Sequence, residues 1–227
     1  MKDAIKNILV ISFIFLSLVT RAESDIDNLT QFKISSLQVF SSFSSYIYFQ
    51  GDDRNRTRLL NAMRRGDQEI SLLPETEVEL KLKWKQISEY VKSYQSYNFD
   101  GANMSLEGGW SILQGELNNM IVANGIGQAE GIDIVQIKME SILTQYMAYA
   151  NSTTGGYGVS SGGIPLEKQI NSMTAGLVAL AQADDKYQTL LRKWNYIKRT
   201  LLAYNSNVAP FVVMHTFDKM RDIIADY

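Results

Sequence analysis

An arginine cluster is the part of this sequence whose residue types and spacing best suit binding. Arg54, Arg56 and Arg58 alternate along the chain, and Arg64 and Arg65 follow within two helical turns. Guanidinium groups bind carboxylates and phosphates through paired hydrogen bonds. The cluster therefore predicts a surface for an anionic ligand or an acidic partner. A solvated surface is the alternative, because acidic residues flank the cluster at Asp52, Asp53, Asp67 and Glu69.

Four aromatic residues form a second set of candidates for binding. Trp84 and Tyr94 stand ten residues apart, and Trp194 and Tyr204 repeat that spacing. Aromatic rings with polar tips are favoured in pockets between helices. Any such pocket is expected where these four side chains face the interior. The alternative is that they are ordinary core or boundary residues.

Motifs for catalysis and for cofactors are missing. The chain has no cysteine and a single histidine, His215, so a zinc or copper site lacks its usual ligands. A serine triad would have to use His215 as its base. His215 stands beside Val212, Val213 and Phe217, which favours a structural role. No phosphate-binding glycine motif occurs. The sequence therefore predicts no catalytic residue, no metal and no cofactor.

Acidic pairs could in principle perform acid–base chemistry, but their positions favour another role. Asp52–Asp53 and Asp184–Asp185 lie at expected turns or helix starts, and the series Glu75, Glu77 and Glu79 opens a helix. Carboxylates there accept hydrogen bonds from free amides and complement the helix dipole. Helix capping is therefore the preferred interpretation.

The apolar spacing predicts an all-α fold. Leu80, Trp84, Ile87, Val91 and Tyr94 step by four and three residues, which places one apolar stripe along a helix. The second copy of this stripe consists of Leu190, Trp194, Ile197, Leu201 and Tyr204. A period near 3.5 suits long helices that cross at shallow angles, as in a coiled coil. We expect an elongated bundle of about eight helices.

An internal repeat organises these helices. A shift of 110 positions aligns residues 57–96 with 167–206 without a gap and matches nine of forty residues. Coincident helical periodicity is the alternative to a true duplication. We predict a first helical unit at 23–124 and a second at 125–227, with a hinge near Gly125, Gly127 and Gly131. The glycine- and serine-rich stretch 151–163 is the most loop-like part of the chain.

Helix boundaries follow from turn residues. Pro74 should separate helices at 57–73 and 75–97, whereas Asp184–Asp185 would allow the second copy to continue with a kink. Residues 29–50 could be helix or strand, and helix is preferred. Further helices are expected at 105–123 and at 210–226, the latter opened by Pro210.

Two pairs of repeated residues suggest how the helices pack. Asn61 and Asn171 interrupt apolar helices, where a buried amide can fix the register of packing. Gly66 and Gly176 follow five residues later and should allow a close approach of another helix.

The N-terminus resembles a secretory signal peptide. Lys2 and Lys6 precede an apolar stretch from Ile8 to Val19, and cleavage after Ala22 would remove residues 1–22. That stretch is too short to span a membrane, so no integral span is expected after processing. The processed chain would carry a net charge of about −4, which offers no general attraction for nucleic acid or for an anionic membrane surface.

The function predicted from these features is an exported, non-enzymatic binding module. The absence of cysteine favours the bacterial periplasm or secretion from a bacterium. Its expected partner is a protein or small ligand of the cell envelope; the oligomeric state is open. One alternative is an enzyme with a carboxylate- or Tyr/Arg-based site between helices. Another is a membrane-active secreted protein that uses 105–123 or the stretch from Met120 to Ile134.

Overall fold

The structure is all-helical. The computed structural model describes residues 28–94, 108–123, 131–153 and 164–227, and these ranges contain eight α-helices and no strand. Residues 28–48 form α1, and the other helices are α2 (Asp53–Leu72), α3 (Val78–Tyr94), α4 (Gly108–Ala123), α5 (Gly131–Thr153), α6 (Leu166–Ala183), α7 (Gln188–Leu202) and α8 (Pro210–Ala225). Within the described ranges, no helix combines the length and apolar character that a membrane span requires. The expected all-α bundle is confirmed.

Helix α1 lies at the centre of the molecule. From residue 34 to residue 47 every side chain is buried, including those of six serines. The serine hydroxyls donate to carbonyl groups one turn back, such as Ser41 to Gln38 (3.2 Å) and Ser45 to Ser41 (2.7 Å). Small, internally bonded side chains let neighbouring helices approach α1 from every direction. Helix is thus the correct prediction for residues 29–50.

Helices α1 and α5 run parallel, side by side. Gln31 donates to Asp133 (3.4 Å) near the start of both helices, and Asn151 donates to the Ser44 carbonyl (3.0 Å) near their ends. Between these points Thr144 donates to the Leu37 carbonyl (3.4 Å). Contacts that advance together along both helices require the same direction.

Two hydrophobic cores flank this helix pair. Side chains of α1, α2, α3 and α4 form the first core, which contains Phe32, Phe43, Leu59 and Trp84. Helices α5 to α8 form a four-helix bundle around the second core, in which each helix packs against the one before it and α8 closes the ring on α5. Tyr48 and Phe49, at the end of α1, pack against the second core.

The helix boundaries differ most from the sequence expectation between α6 and α7. Helix α2 also begins at Asp53 rather than at residue 57, and α3 begins at Val78 rather than at residue 75. Pro74 separates α2 from α3, as predicted. The second copy does not continue through a kink: α6 ends at Ala183, and a 3-10 turn (Asp185–Tyr187) precedes α7. Asp184 caps this turn by accepting a hydrogen bond from the Lys186 amide (3.0 Å). The break occurs because the carboxylate competes for amides that would continue α6.

The paired asparagines do not fix the packing register. Asn61 and Asn171 are both exposed, so the prediction of buried amides is wrong. Each lies beside the buried stripe of its helix rather than within it. An apolar period of 3.5 residues does not determine whether a position beside the stripe is buried or exposed.

The paired glycines differ in their surroundings. A methyl group at Gly66 would overlap the Trp84 ring, whereas one at Gly176 would meet no atom within 4 Å. The expectation of a close approach is therefore right for Gly66 and wrong for Gly176. At Gly66 the close neighbour is an indole ring.

This difference yields a matched stability test. Gly66→Ala should lower the free energy of unfolding by about 1–3 kcal/mol, because the indole must move. Gly176→Ala should raise it by up to about 1 kcal/mol, because alanine is the better helix former and the site is open. Urea denaturation followed by circular dichroism measures both. Equal effects of the two substitutions would contradict the described position of Trp84.

Several predicted features lie outside the described residues. They are the signal peptide at 1–22, most of the loop at 151–163 and the hinge glycines Gly125 and Gly127.

Candidate functional site

A strained turn leads from α1 into α2. Gln50 and Gly51 both have positive φ angles (52° and 78°), and the Gly51 amide donates to the Tyr46 carbonyl (2.9 Å). A non-glycine residue in this conformation costs about 1–2 kcal/mol. Asp52 then caps α2 by accepting hydrogen bonds from the Asn55 amide (2.9 Å) and the Asn55 side chain (2.6 Å). The cap fixes the first turn of α2, from which Arg54 and Arg58 project.

Beside this turn, residues of both halves form what we call the arginine–aromatic patch: Phe49, Arg54, Phe211 and His215. They line a pocket of about 310 Å³, including the space at its open mouth. The Arg54 guanidinium lies 5.9 Å from the centre of the Phe211 ring. The Phe211 and His215 rings are nearly parallel, with centres 6.4 Å apart. Phe211 is 61% exposed.

The base of the pocket connects to a network of charged side chains. Arg58 donates to Asn55 Oδ1 (2.5 Å) and forms an ion pair with Asp218. Asp218 also accepts from Arg221 Nη1 (2.8 Å). A continuous chain of polar contacts thus runs from the α2 cap to the inside of α8. Its members are Asp52, Asn55, Arg58, Asp218 and Arg221.

The network ends in the interior at Glu140. This α5 carboxylate is 0% exposed and binds Arg221 in a two-point contact, Oε1 to Nε (2.6 Å) and Oε2 to Nη2 (2.7 Å). Ser41 of α1 donates to Oε2 (3.2 Å). Although burial alone would lower the pKa of Arg221, the carboxylates of Glu140 and Asp218 raise it above its ordinary value. The ion pair, together with the Ser41 hydroxyl, ties α1, α5 and α8 together inside the protein.

The predicted arginines separate into different roles. Arg54 is exposed in the patch, while Arg58 is half-buried and paired with Asp218. Arg56 is exposed but does not line the pocket. Helical geometry explains this, because neighbours two positions apart project to nearly opposite sides of α2.

The four predicted aromatic residues lie in two separate cores. Trp84 and Tyr94 belong to the first core, where Trp84 packs edge-on against Phe32 (5.4 Å between ring centres). Trp194 and Tyr204 belong to the second. Each indole N–H donates to the preceding helix: Trp84 to Asp67 (2.8 Å) and Trp194 to Thr174 (2.9 Å). The structure does not bring the four residues together in one pocket.

Tyr204 is held by a carboxylate at the edge of the second core. Its hydroxyl donates to Glu167 Oε1 (2.7 Å), and its ring lies 4.5 Å from that of Tyr149. The hydrogen bond to Glu167, followed by burial, raises the pKa of Tyr204 to about 12. The same bond lowers the pKa of Glu167.

Alkaline titration tests this contact. The raised pKa of Tyr204 means that its stabilising contribution is complete below its ordinary pKa of 10.0 and is lost as the pH rises toward about 12. Tyrosinate absorbance should show a late transition whose amplitude Tyr204→Phe reduces; burial also raises the pKa values of Tyr46, Tyr146 and Tyr227, which account for the rest of that transition. Glu167→Gln should shift that transition to lower pH, since it removes the negative charge. A late transition unchanged in Tyr204→Phe would disprove the assignment.

Sequence reasoning missed the residues contributed by α5 and α8. Phe211, Asp218 and Arg221 stand more than 150 positions from Arg58, and no local pattern links them to it. His215, interpreted as structural, is exposed at the patch. The only available signal was the pair of unlike charges at Asp218 and Arg221, one helical turn apart.

The described residues include no group of three or more His, Asp or Glu side chains suited to a metal ion. Comparisons with protein-family models, with curated proteins and with solved structures find no match for this chain.

Proposed function

We propose that the protein is an exported, non-enzymatic helical binding module, and that the arginine–aromatic patch contacts its protein partner. The observation that carries this proposal is the exposure of Phe211 beneath the Arg54 guanidinium. Large aromatic and arginine side chains contribute most of the binding energy in protein interfaces. The partner would present a carboxylate or phosphate next to an apolar group, since Arg54 and Phe211 match those two chemistries.

The size of the pocket favours a partner's side chain over a free ligand. Pockets that enclose drug-sized molecules hold roughly 300–1,000 Å³. The patch pocket is at the lower limit of that range even with its open mouth included. A single side chain or chain terminus of a partner fits such a depression, while the surrounding surface supplies the remaining contact.

The state of the carboxylates supports binding over catalysis. Glu140 is occupied by Arg221 on both oxygens, and Asp218 is shared by Arg58 and Arg221. A general acid or base needs a carboxyl group that can exchange a proton with substrate. The oxygens of these two carboxylates are instead occupied by arginine donors.

Export and duplication complete the proposal. The layout of residues 1–22 supports export to the periplasm or secretion. The 110-residue repeat is supported by two indoles that each bond to the preceding helix, and by the parallel pairing of α1 with α5. If two copies of one unit are related by a rotation axis parallel to the helices, the equivalent helices α1 and α5 lie side by side in the same direction.

The experiment compares capture of envelope proteins by the tagged protein and by three variants. Arg54→Glu and Phe211→Ser should each reduce capture of the specific partner roughly tenfold or more, since truncated hot-spot residues cost at least about 2 kcal/mol. Arg56→Glu is the matched control, because it makes the same charge change two residues away and outside the pocket. Quantitative mass spectrometry gives the readout.

Equal capture by Arg54→Glu, Phe211→Ser and the parent protein would refute the patch as the binding surface. Equal loss in Arg56→Glu and Arg54→Glu would show that general charge, rather than the patch, recruits the partner. Circular dichroism verifies that each variant is folded.

A further inference from the structure

A second charged surface lies on α7, separate from the arginine–aromatic patch. The 15-residue helix carries Arg192, Lys193, Lys198 and Arg199 and contains no acidic residue. Arg192, Lys193 and Arg199 are exposed. Among the described residues, none of the four has a carboxylate oxygen within 4.0 Å, as the ion pairs of the molecule involve other cations.

The carboxylates of the neighbouring helices α6 and α8 form no ion pair with these cations. Helix α6 carries its only charged residues, Glu167 and Lys168, in its first turn, and its remaining length is uncharged. On α8, Asp218 is engaged by two arginines and Asp222 lies 3.5 Å from Lys219. The net charge of the whole chain is −2, so the cationic face of α7 is a local departure from an acidic molecule.

Helix α3 provides an internal comparison. It occupies the matching place in the first half and also has a buried tryptophan stripe. Two of its four lysines, however, have carboxylate partners: Lys83 binds Glu116 (2.6 Å) and Lys85 lies 3.9 Å from Glu89. A helix in this position therefore does not need an unpaired cationic face for packing.

An exposed aromatic ring stands in the middle of the cationic face. Tyr196 is 70% exposed and follows Arg192 by four residues and precedes Arg199 by three, so the three side chains form one stripe. Leu202 continues the stripe at the helix end and is 39% exposed. Tyrosine and leucine flanked by lysine and arginine are the residue types of helices that lie on membrane surfaces.

We infer that this face of α7 docks the protein onto an anionic phospholipid surface. The cations would contact lipid phosphates, and Tyr196 would lie at the level of the headgroups. The convex face of one straight helix matches an extended, nearly flat partner. The contact is peripheral and electrostatic, so it is reversible and weakens as salt screens the charges. It does not depend on the proposed function of the arginine–aromatic patch.

Vesicle co-sedimentation tests the inference with the full processed chain. The protein should bind vesicles of phosphatidylcholine with phosphatidylglycerol, and should stay in the supernatant with phosphatidylcholine alone or at high salt. Each cation near an anionic membrane contributes a roughly fivefold gain in binding. The triple variant Arg192→Gln, Lys193→Gln, Arg199→Gln should therefore bind roughly 100-fold more weakly.

The matched control removes the same charge elsewhere. The control variant replaces three exposed lysines on α3 and α8: Lys85→Gln, Lys92→Gln and Lys219→Gln. It should bind vesicles nearly as well as the parent protein does. Tyr196→Ser keeps every charge and should weaken vesicle binding several-fold, because the interfacial ring is lost. Circular dichroism confirms that all variants are helical.

Three outcomes would overturn the inference. One is a parent protein that does not sediment with anionic vesicles at low salt. Another is an equal loss of binding in the α7 triple variant and its control, which would indicate that vesicle binding depends on net charge alone. The third is binding to a mixed-sequence DNA duplex that is stronger than vesicle binding and unaffected by Tyr196→Ser, which would identify a polyanion surface.

Discussion

Arg221→Met is expected to lower the free energy of unfolding by about 3–5 kcal/mol, because it leaves a buried carboxylate without its cation. Glu140 is 0% exposed and takes both of its close ionic contacts from Arg221. Among the described residues, Ser41 would remain as its hydrogen-bond donor and Arg65 as a more distant cation. Methionine retains the apolar stem of arginine and isolates the loss of charge. Urea denaturation followed by circular dichroism gives the value.

The double variant Glu140→Leu, Arg221→Met should recover most of this loss, since replacing both members of a buried pair by apolar residues is often close to neutral. Lys85→Met is the exposed control. It removes the cation of the Lys85–Glu89 pair, whose side chains are 72% and 65% exposed, and should cost less than about 1 kcal/mol. A large loss that persists in the double variant would contradict the described pairing.

Trp194→Ala should likewise cost about 3–5 kcal/mol, because it removes a fully buried indole from the centre of the second core. The vacated volume lies within the second core, whose surrounding side chains cannot all move into it. The hydrogen bond from the indole to Thr174 is lost as well. Thermal and urea unfolding, both followed by circular dichroism, measure the effect.

Tyr196→Ala is the matched control for Trp194→Ala. It truncates an aromatic residue on the same helix, two positions away and 70% exposed. Surface truncations of this kind change stability by about 0.5 kcal/mol or less. If both variants lost similar stability, the assignment of buried and exposed faces on α7 would be incorrect.

The helices and the faces they bury were predictable because their information is local. The stripes that include Trp84 and Trp194 repeat every three or four residues, and both indoles are buried as that period requires. Pro74 and Pro210 marked real boundaries for the same reason. The interruption after Ala183 was less clear, because aspartates can either continue a helix or cap a turn.

The arrangement of the helices was not predictable from these patterns. Helix α1 is buried on all sides, and its serines resemble a polar surface in the sequence. The hydroxyls of Ser36, Ser41 and Ser45 donate to α1's own carbonyl groups, which no periodicity reveals. The pairing of Glu140 with Arg221 joins residues 81 positions apart and depends on how the bundle closes.

The candidate site was predictable only in part. Arg54 and Arg58 stood out as a cluster, yet the partners that give them different roles, Phe211 and Asp218, come from the other half of the chain. Arg58 faces both the patch pocket and the buried network. The patch therefore exists only when the two halves are joined as described, and its stability is tied to that of the ionic network.

A double-mutant cycle on Arg58 and Asp218 tests this junction most directly. The two residues lie 160 positions apart and meet only if the start of α2 comes within side-chain reach of α8 at the base of the patch. Arg58→Ala, Asp218→Ala and the double variant should give a coupling energy of about 0.5–3 kcal/mol in the free energy of unfolding. Strictly additive effects, with a coupling indistinguishable from zero, would contradict the assembly of the candidate site from both halves.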